Sequence, residues 1–360
     1  TVSMNIRPSD EKVKIMGRFE WKDNMLYLCY SGAYIEFIFS GSQLSVRMFS
    51  EFVREKESCM IAVFINGNSH SVFPLKEGMH DYRIIDFNET KTVIVRLMKI
   101  SEEQYASSAV CNLITDDTAY IKPTGYLDRR IEFIGDSITC GYGNEGTEGD
   151  EFSTADENAS KSYAVLTAQS LQADFSLISF SGIGITSRYV EPEAVEPLTD
   201  ILMPEIYPYS DWYLDRRKGC EPAEKWDFNR FQAEIVVINL GTNDASYVRN
   251  NPDKKRRFII KYAEFIYMVR RYNTNAEIIC TIGVMESRLS DAVKKSVELY
   301  KEKTGDKRVV FFLQDMQLKN DGCGTAMHPS VRTHEKMAWK LTRFILDNNF
   351  WKEVFASHPF

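Results

Sequence analysis

The sequence predicts two unequal domains: an N-terminal all-β jelly roll or β-sandwich over residues 1–125, and a C-terminal three-layer α/β domain with a parallel sheet over residues 126–360. Three observations carry this reading. A chain of 360 residues exceeds one ordinary domain of ~100–200 residues. From about Gly17 to Asp116, short runs alternate apolar and polar residues between turn signals, the signature of half-buried strands. After the polar stretch IKPTGYLDRR (121–130), apolar strand-length runs alternate with helical ones, which implies βα units.

The first region contains YIEFIFS (34–40), QLSVRMF (43–49), MIAVFING (60–67) and TVIVRLM (92–98). Turns are expected at SGS (40–42), NGN (66–68), EGM (77–79) and FNET (87–90). Strands at this close spacing favour a sandwich over a helix-bearing sheet. No run of exposed aromatics marks a sugar platform in this domain, so it is expected to be structural or cleft-shaping. The second region reads in order as the strand RIEFIGDS, a helical stretch over 162–173, the strand FSLISFSG and the strand EIVVINLGTND. A helix over about 254–272, the strand EIICTIGV, a helix over about 290–304, the strand VVFFLQ and a last helix over about 330–348 follow. In such sheets ligands collect at the carboxyl ends of the strands.

Four residues stand at those ends. Ser137 follows Gly135-Asp136, where a strand turns into a helix and free backbone N–H groups favour developing negative charge. Gly182 ends the second strand, letting a backbone N–H approach a ligand closely. Asn243, in GTND, places a carboxamide donor at the third. His328, in AMHPS, precedes the last helix, with Pro329 and Ser330 as start signals. His70 and His80 lie among turns of the β-domain, His334 within the last helix and His358 in the tail. Each residue alone is an ordinary cap, turn or surface residue. Together, in this order, they are a nucleophile, two kinds of oxyanion donor and a general base for acyl transfer.

These four blocks resemble the SGNH (GDSL-type) hydrolase superfamily over about residues 130–350. The phrases IEFIGDSITCGYGNEG and WDFNRFQAEIVVINLGTND, with the β-rich N-terminal region, look more narrowly like carbohydrate esterase family 2. That family joins a jelly roll to an SGNH domain and removes acetyl groups from plant-cell-wall sugars. The resemblance implies an acetylxylan esterase-like enzyme in which Ser137 attacks the acetyl carbonyl and His328 shuttles its proton. The N–H groups of Ser137 and Gly182 and the Asn243 amide would hold the oxyanion, and no cofactor or metal is implied. Many relatives carry an Asp three residues before the histidine; here that position is Thr325. A Ser-His dyad with a main-chain carbonyl on the imidazole is expected, with Asp321 as the alternative orienter. Rival readings are another SGNH acyl-ester hydrolase, lipase-like or acting on peptidoglycan O-acetyl groups, and a non-catalytic carbohydrate-binding protein on the same scaffold.

The segment 185–232 is rich in aromatics and carboxylates, and Tyr207, Tyr209, Trp212 or Tyr213 could stack on a pyranose ring or instead pack the loop. Trp226 reads as an anchor for the following strand. The expected partner is an acetylated oligosaccharide, with assembly into a homo-oligomer left open. Charge gives 51 acidic against 44 basic residues, a net of −7, so nucleic acid is not expected. No apolar stretch approaches the ~20 residues of a membrane span, so no membrane partner is expected either. The seven cysteines are odd in number and form no CxxC pair, which points away from zinc and toward free thiols. With a start, TVSMNIRPSD, unlike a signal peptide, a cytoplasmic enzyme is expected, although a removed leader would leave the same sequence.

Overall fold

The computed structural model describes residues 3–352, so His358 lies outside the described residues. Its strands in the first region are β1 (Ser3–Ile6), β2 (Lys14–Met16), β3 (Phe19–Lys22), β4 (Met25–Leu28), β5 (Tyr34–Ser50), β6 (Met60–Ile65), β7 (Asn68–Pro74), β8 (Gly78–Lys99), β9 (Ala109–Asp116) and β10 (Tyr120–Pro123). The second region contributes β11 (Arg129–Gly135), β12 (Ala173–Ser179), β13 (Ile235–Asn239), β14 (Glu277–Thr281) and β15 (Val309–Phe311). The helices are α1 (Ser137–Cys140), α2 (Tyr163–Ser170), α3 (Met203–Ile206), α4 (Trp212–Arg217), α5 (Thr242–Val248), α6 (Pro252–Tyr272), α7 (Ser290–Thr304) and α8 (Val331–Asp347). Among the described residues no helix is long and apolar enough to cross a membrane.

The chain forms two compact units. The first comprises the residues through Tyr126 together with 152–159 and 209–226; the second comprises 127–151, 160–208 and Asp227 onward.

In the first unit, antiparallel strands run in the order β3-β4-β9-β5-β8-β6-β7, with β1 on β9 and both β2 and β10 on β5. Two expected turns are absorbed into long strands. SGS lies inside β5, where Asp116 Oδ1 accepts the N–H groups of Ser42 and Gln43 at 3.0 Å each. FNET lies inside β8, where the register jumps from Gln43–Asp86 to Gly41–Lys91. Residues 87–90 thus face Ser42 alone, and the turn chemistry is spent on a bulge that bends the strand without ending it. His70 and His80 accordingly sit on β7 and β8, not in turns. NGN does form the β6–β7 hairpin, with Asn66 and Gly67 both at positive φ.

The two later segments are held in this unit by buried charge as much as by apolar contact. Leu214 of α4 packs with Met25, Tyr27, Ala109 and Cys111. Arg18 donates to the Tyr209 carbonyl at 2.6 Å, Arg217 reaches Glu103 at 3.0 Å, and Lys22 lies 3.2 Å from Glu20 and 2.7 Å from Asp215. Burial, and then the Asp215 carboxylate beside it, push Glu20 up to about 8. Phe152 packs on Tyr105, and Glu157 Oε2 accepts the Glu102 N–H at 3.1 Å.

The second unit holds a five-stranded parallel sheet in the order β12-β11-β13-β14-β15. Strands β12 and β13 are buried along their whole length, as helices on both faces require. Helix α6 starts where Pro252 fits the first position and Asn251 Oδ1 accepts the N–H groups of Asp253 and Lys254. Helix α8 starts at Ser330, whose Oγ accepts the Thr333 N–H at 3.2 Å. Helix α2 stops at Ser170, short of the expected 173, with Gln172 at φ 51 turning the chain into β12.

Candidate active site

Register places the key loops together. Gly135, the last residue of β11, pairs with Ser179 of β12 and Asn239 of β13. The three chains therefore leave the sheet at one level, carrying Ser137 two residues on, Gly182 three on and Asn243 four on. Asp136 caps α1 by accepting the Ile138 N–H at 3.0 Å, and Ser137 opens the helix. Because α1 is a single turn, the useful polarity there is the amide of Ser137 itself, which an N-terminal position leaves without an intrahelical partner.

His328 comes from farther along the chain, and two glycines permit its approach. A Cβ on Gly324 would lie 2.1 Å from the Gly143 carbonyl oxygen, and one on Gly143 would lie 2.6 Å from Thr325 Cβ. Without them the backbones close enough for Thr325 N–H to donate to the Gly143 carbonyl at 3.0 Å. Ala326 and Met327 then take left-handed conformations, φ 51 and 63, and His328 N–H donates to the Thr325 carbonyl at 3.1 Å. Such backbone costs about 1–2 kcal/mol per residue. In return it folds two carbonyls against the imidazole.

His328 Nδ1 lies 3.2 Å from the Thr325 oxygen and 3.1 Å from that of Ala326, while Nε2 lies 2.9 Å from Ser137 Oγ. A carbonyl only accepts, so Nδ1 carries the proton of the neutral ring and Nε2 is the acceptor facing the serine hydroxyl. Asp321 is engaged elsewhere: its carboxylate takes the Lys336 ammonium at 2.8 and 2.6 Å. Tyr142, which no sequence signal singles out, packs its ring against the imidazole at 4.4 Å between centroids.

Gly182 adopts φ 84. Asn243 Nδ2 donates to the Ile183 carbonyl at 2.8 Å, which leaves its second amide hydrogen for a ligand. The neighbouring Asp244, also missed in the sequence, is buried and accepts from Ile185, Thr186 and Ser187. Burial pushes its carboxyl above the usual range, and those donors act in the opposite direction.

The aromatic candidates separate. Tyr207 is no sugar platform: its side chain is fully buried, its hydroxyl donates to Glu132 at 2.5 Å and accepts from Asn273 Nδ2 at 2.8 Å, and its ring packs against Phe265. Tyr209, Trp212 and Tyr213 are half-buried and belong to the first unit. Trp226 also belongs there, packing edge-on against Phe19 at 5.7 Å, so it anchors α4's segment rather than β13.

A family model described as GDSL-like Lipase/Acylhydrolase matches residues 131–341, and one described as Carbohydrate esterase 2 N-terminal matches residues 15–124. The cellulase/esterase CelE of Acetivibrio thermocellus is 30% identical over 93% of this chain, which spans only 39% of that protein's length. An acetylxylan esterase / glucomannan deacetylase of Cellvibrio japonicus is 24% identical over 94% of this chain and 89% of its own. A family two carbohydrate esterase from Clostridium thermocellum, solved in complex with cellohexaose, is 30% identical and aligns with a TM-score of 0.82 over 94% of this chain and 100% of that one. With both units matched, the chain belongs to carbohydrate esterase family 2, within the GDSL-type (SGNH) hydrolases.

Proposed function

We propose that the protein is a serine esterase that removes O-acetyl groups from acetylated plant-cell-wall oligosaccharides through an acetyl-enzyme intermediate. The observation that carries this reading is the 2.9 Å separation of Ser137 Oγ and His328 Nε2, with Nδ1 held on main-chain carbonyls. In the first half-reaction His328 takes the Ser137 proton as Oγ attacks the acetyl carbonyl. The resulting oxyanion is met by the N–H groups of Ser137 and Gly182 and the free amide hydrogen of Asn243. Each such donor is worth ~10²–10³ in rate. Collapse of the tetrahedral intermediate releases the sugar alkoxide, which receives the proton from His328. Water, deprotonated by the same imidazole, then frees acetate from Ser137.

The charge that accumulates on His328 needs no carboxylate in this scheme. Two carbonyl dipoles hold the ring in the productive tautomer, which is the larger part of a third residue's task. The names of the relatives support acetylated xylan and glucomannan as the substrate class. A reducing compartment is part of the same reading, supported by seven cysteines of which none forms a disulfide.

The test is Ser137→Ala, assayed on p-nitrophenyl acetate and on acetylated xylo-oligosaccharides. The expected loss in kcat/KM is about 10⁴-fold or more. Near wild-type turnover would remove Ser137 as the nucleophile and the proposal with it.

A further inference from the structure

We propose that Asp244 is the positioning residue of the oxyanion hole, its carboxylate filling a nest of backbone amides and so fixing Gly182 against Asn243. This rests on the esterase reading above and assigns a role to a residue outside the nucleophile, base and donors.

The chain that leaves β12 turns sharply through 182–187, and three successive amides, those of Ile185, Thr186 and Ser187, point to the inside of the turn. Such a concave run of N–H groups binds an anion. No solvent reaches this one, and its anion is built in: Asp244 is fully buried, and its Oδ1 accepts from Ile185 N at 3.1 Å, Thr186 N at 2.6 Å, Thr186 Oγ1 at 2.8 Å and Ser187 N at 3.1 Å. Its Oδ2 accepts from Ile185 N at 3.0 Å. Residue 184 must leave room for this carboxylate. A Cβ on Gly184 would stand 2.0 Å from the Ser187 carbonyl oxygen and 2.6 Å from Asp244 Oδ2.

The preceding residue grips the same turn from the other side. Asn243 Nδ2 donates to the Ile183 carbonyl at 2.8 Å. Adjacent residues in the first turn of α5 thus hold one loop by opposite chemistry, a donor on residue 183 and an acceptor on residues 185–187. Ser246, one turn on, extends the grip: its Oγ accepts the Val190 N–H at 2.9 Å and donates to the Asn243 carbonyl at 2.6 Å. Gly182 sits at the free end of this clamped segment, and its own carbonyl accepts the Tyr189 N–H at 3.0 Å. Two oxyanion donors from different strands are therefore registered through neighbouring side chains of α5, with the Asp244 carboxylate making most of the contacts. Preorganised donors are worth most when they need not move as charge develops, and an error of ~1 Å in placement costs ~10²-fold.

The experiment compares Asp244→Asn, Thr186→Val, Asn243→Ala and the Asn243→Ala/Asp244→Asn double variant. Steady-state kinetics use p-nitrophenyl acetate, with thermal unfolding measured alongside. Asp244→Asn keeps the shape but offers its amide hydrogens to donors. Its kcat should fall by ~10²-fold with KM within about threefold. In the Asn243→Ala background the same change should cost at most ~10-fold, because the donor it aligns is already gone. Thr186→Val removes only the Oγ1 donor and should lower kcat about three- to tenfold at unchanged KM.

A folded Asp244→Asn with kcat within threefold of wild type overturns the proposal. Equal losses in the two backgrounds also overturn it, as does a loss confined to unfolding temperature. If Asp244→Asn is not recovered folded, Thr186→Val decides alone, and an unchanged kcat refutes the role. Wild-type turnover and the Ser137→Ala result are independent of these outcomes, so the esterase reading stands or falls separately.

Discussion

Asp321→Asn separates two ways of orienting His328. If Asp321 were the third member of a triad, its amide would favour the wrong imidazole tautomer, and kcat would fall by ~10⁴-fold, equivalent to about 5.4 kcal/mol of transition-state stabilisation. The geometry assigns the carboxylate a different task. Both of its oxygens face Lys336 of α8, at 2.8 and 2.6 Å, in an ion pair whose lysine is 44% exposed. Such a partly solvated pair contributes about 0.5–1 kcal/mol. The other contact of this residue, acceptance of the Ser330 Oγ–H at 2.8 Å, uses the main-chain carbonyl and survives the substitution. Asp321→Asn should therefore lose up to about 1 kcal/mol of stability and keep kcat/KM within about threefold of wild type. The assay is p-nitrophenyl acetate hydrolysis from pH 5 to 8, paired with urea unfolding. A loss beyond ~10² in kcat, at unchanged fold and KM, would refute the carbonyl-held imidazole.

Two further outcomes follow from buried groups. Tyr207→Phe removes the hydrogen bonds to Glu132 and Asn273, so urea unfolding should register a loss of about 1–3 kcal/mol while KM for an acetylated oligosaccharide stays put. A raised KM at unchanged stability would return Tyr207 to the substrate. His334 is fully buried, its Nδ1 accepting the Tyr163 N–H at 2.9 Å, and burial, aided by the nearby His328, pushes its pKa down to about 3. The unfolded chain titrates at ~6.5, so between those values only the unfolded state binds the proton. The contribution is complete above pH ~6.5 and is lost as pH falls, at about 1.4 kcal/mol per pH unit. Urea midpoints of wild type and His334→Gln, measured from pH 7 to 5, should diverge in slope, the variant losing about 2 kcal/mol less across the acid limb. Parallel slopes would mean that His334 is not held neutral.

Much of the α/β half was legible because its signals are local. An apolar run ending in Gly135 is a buried parallel strand whatever surrounds it, and Pro252 or Ser330 marks a helix start by its own chemistry. The order of Ser137, Gly182, Asn243 and His328 along successive strand ends was readable for the same reason. What escaped depends on partners distant in sequence. SGS and FNET carry turn residues, yet Asp116 and the facing strand decide that they bend β5 and β8 instead of ending them. Tyr207 looks like any loop aromatic until Glu132 and Asn273 are seen to take its hydroxyl. Asp244 reads as part of the GTND turn, because nothing local says that its oxygens will meet the amides of residues 185–187.

The return of residues 209–226 to the first unit has a consequence for synthesis. Arg18 donates to a carbonyl 191 positions later, and the acceptor of Lys22 in α4 is comparably distant. At ~5–20 residues per second, a ribosome needs about 10–40 s to supply them. For that interval the nascent β-sheet carries basic side chains without the later partners that hold them, the Tyr209 carbonyl for Arg18 and the Asp215 carboxylate that joins Glu20 on Lys22. The unit whose first strands emerge earliest can close only after the chain has passed the catalytic loops of Ser137 and Gly182, and can do so before it reaches those of Asn243 and His328.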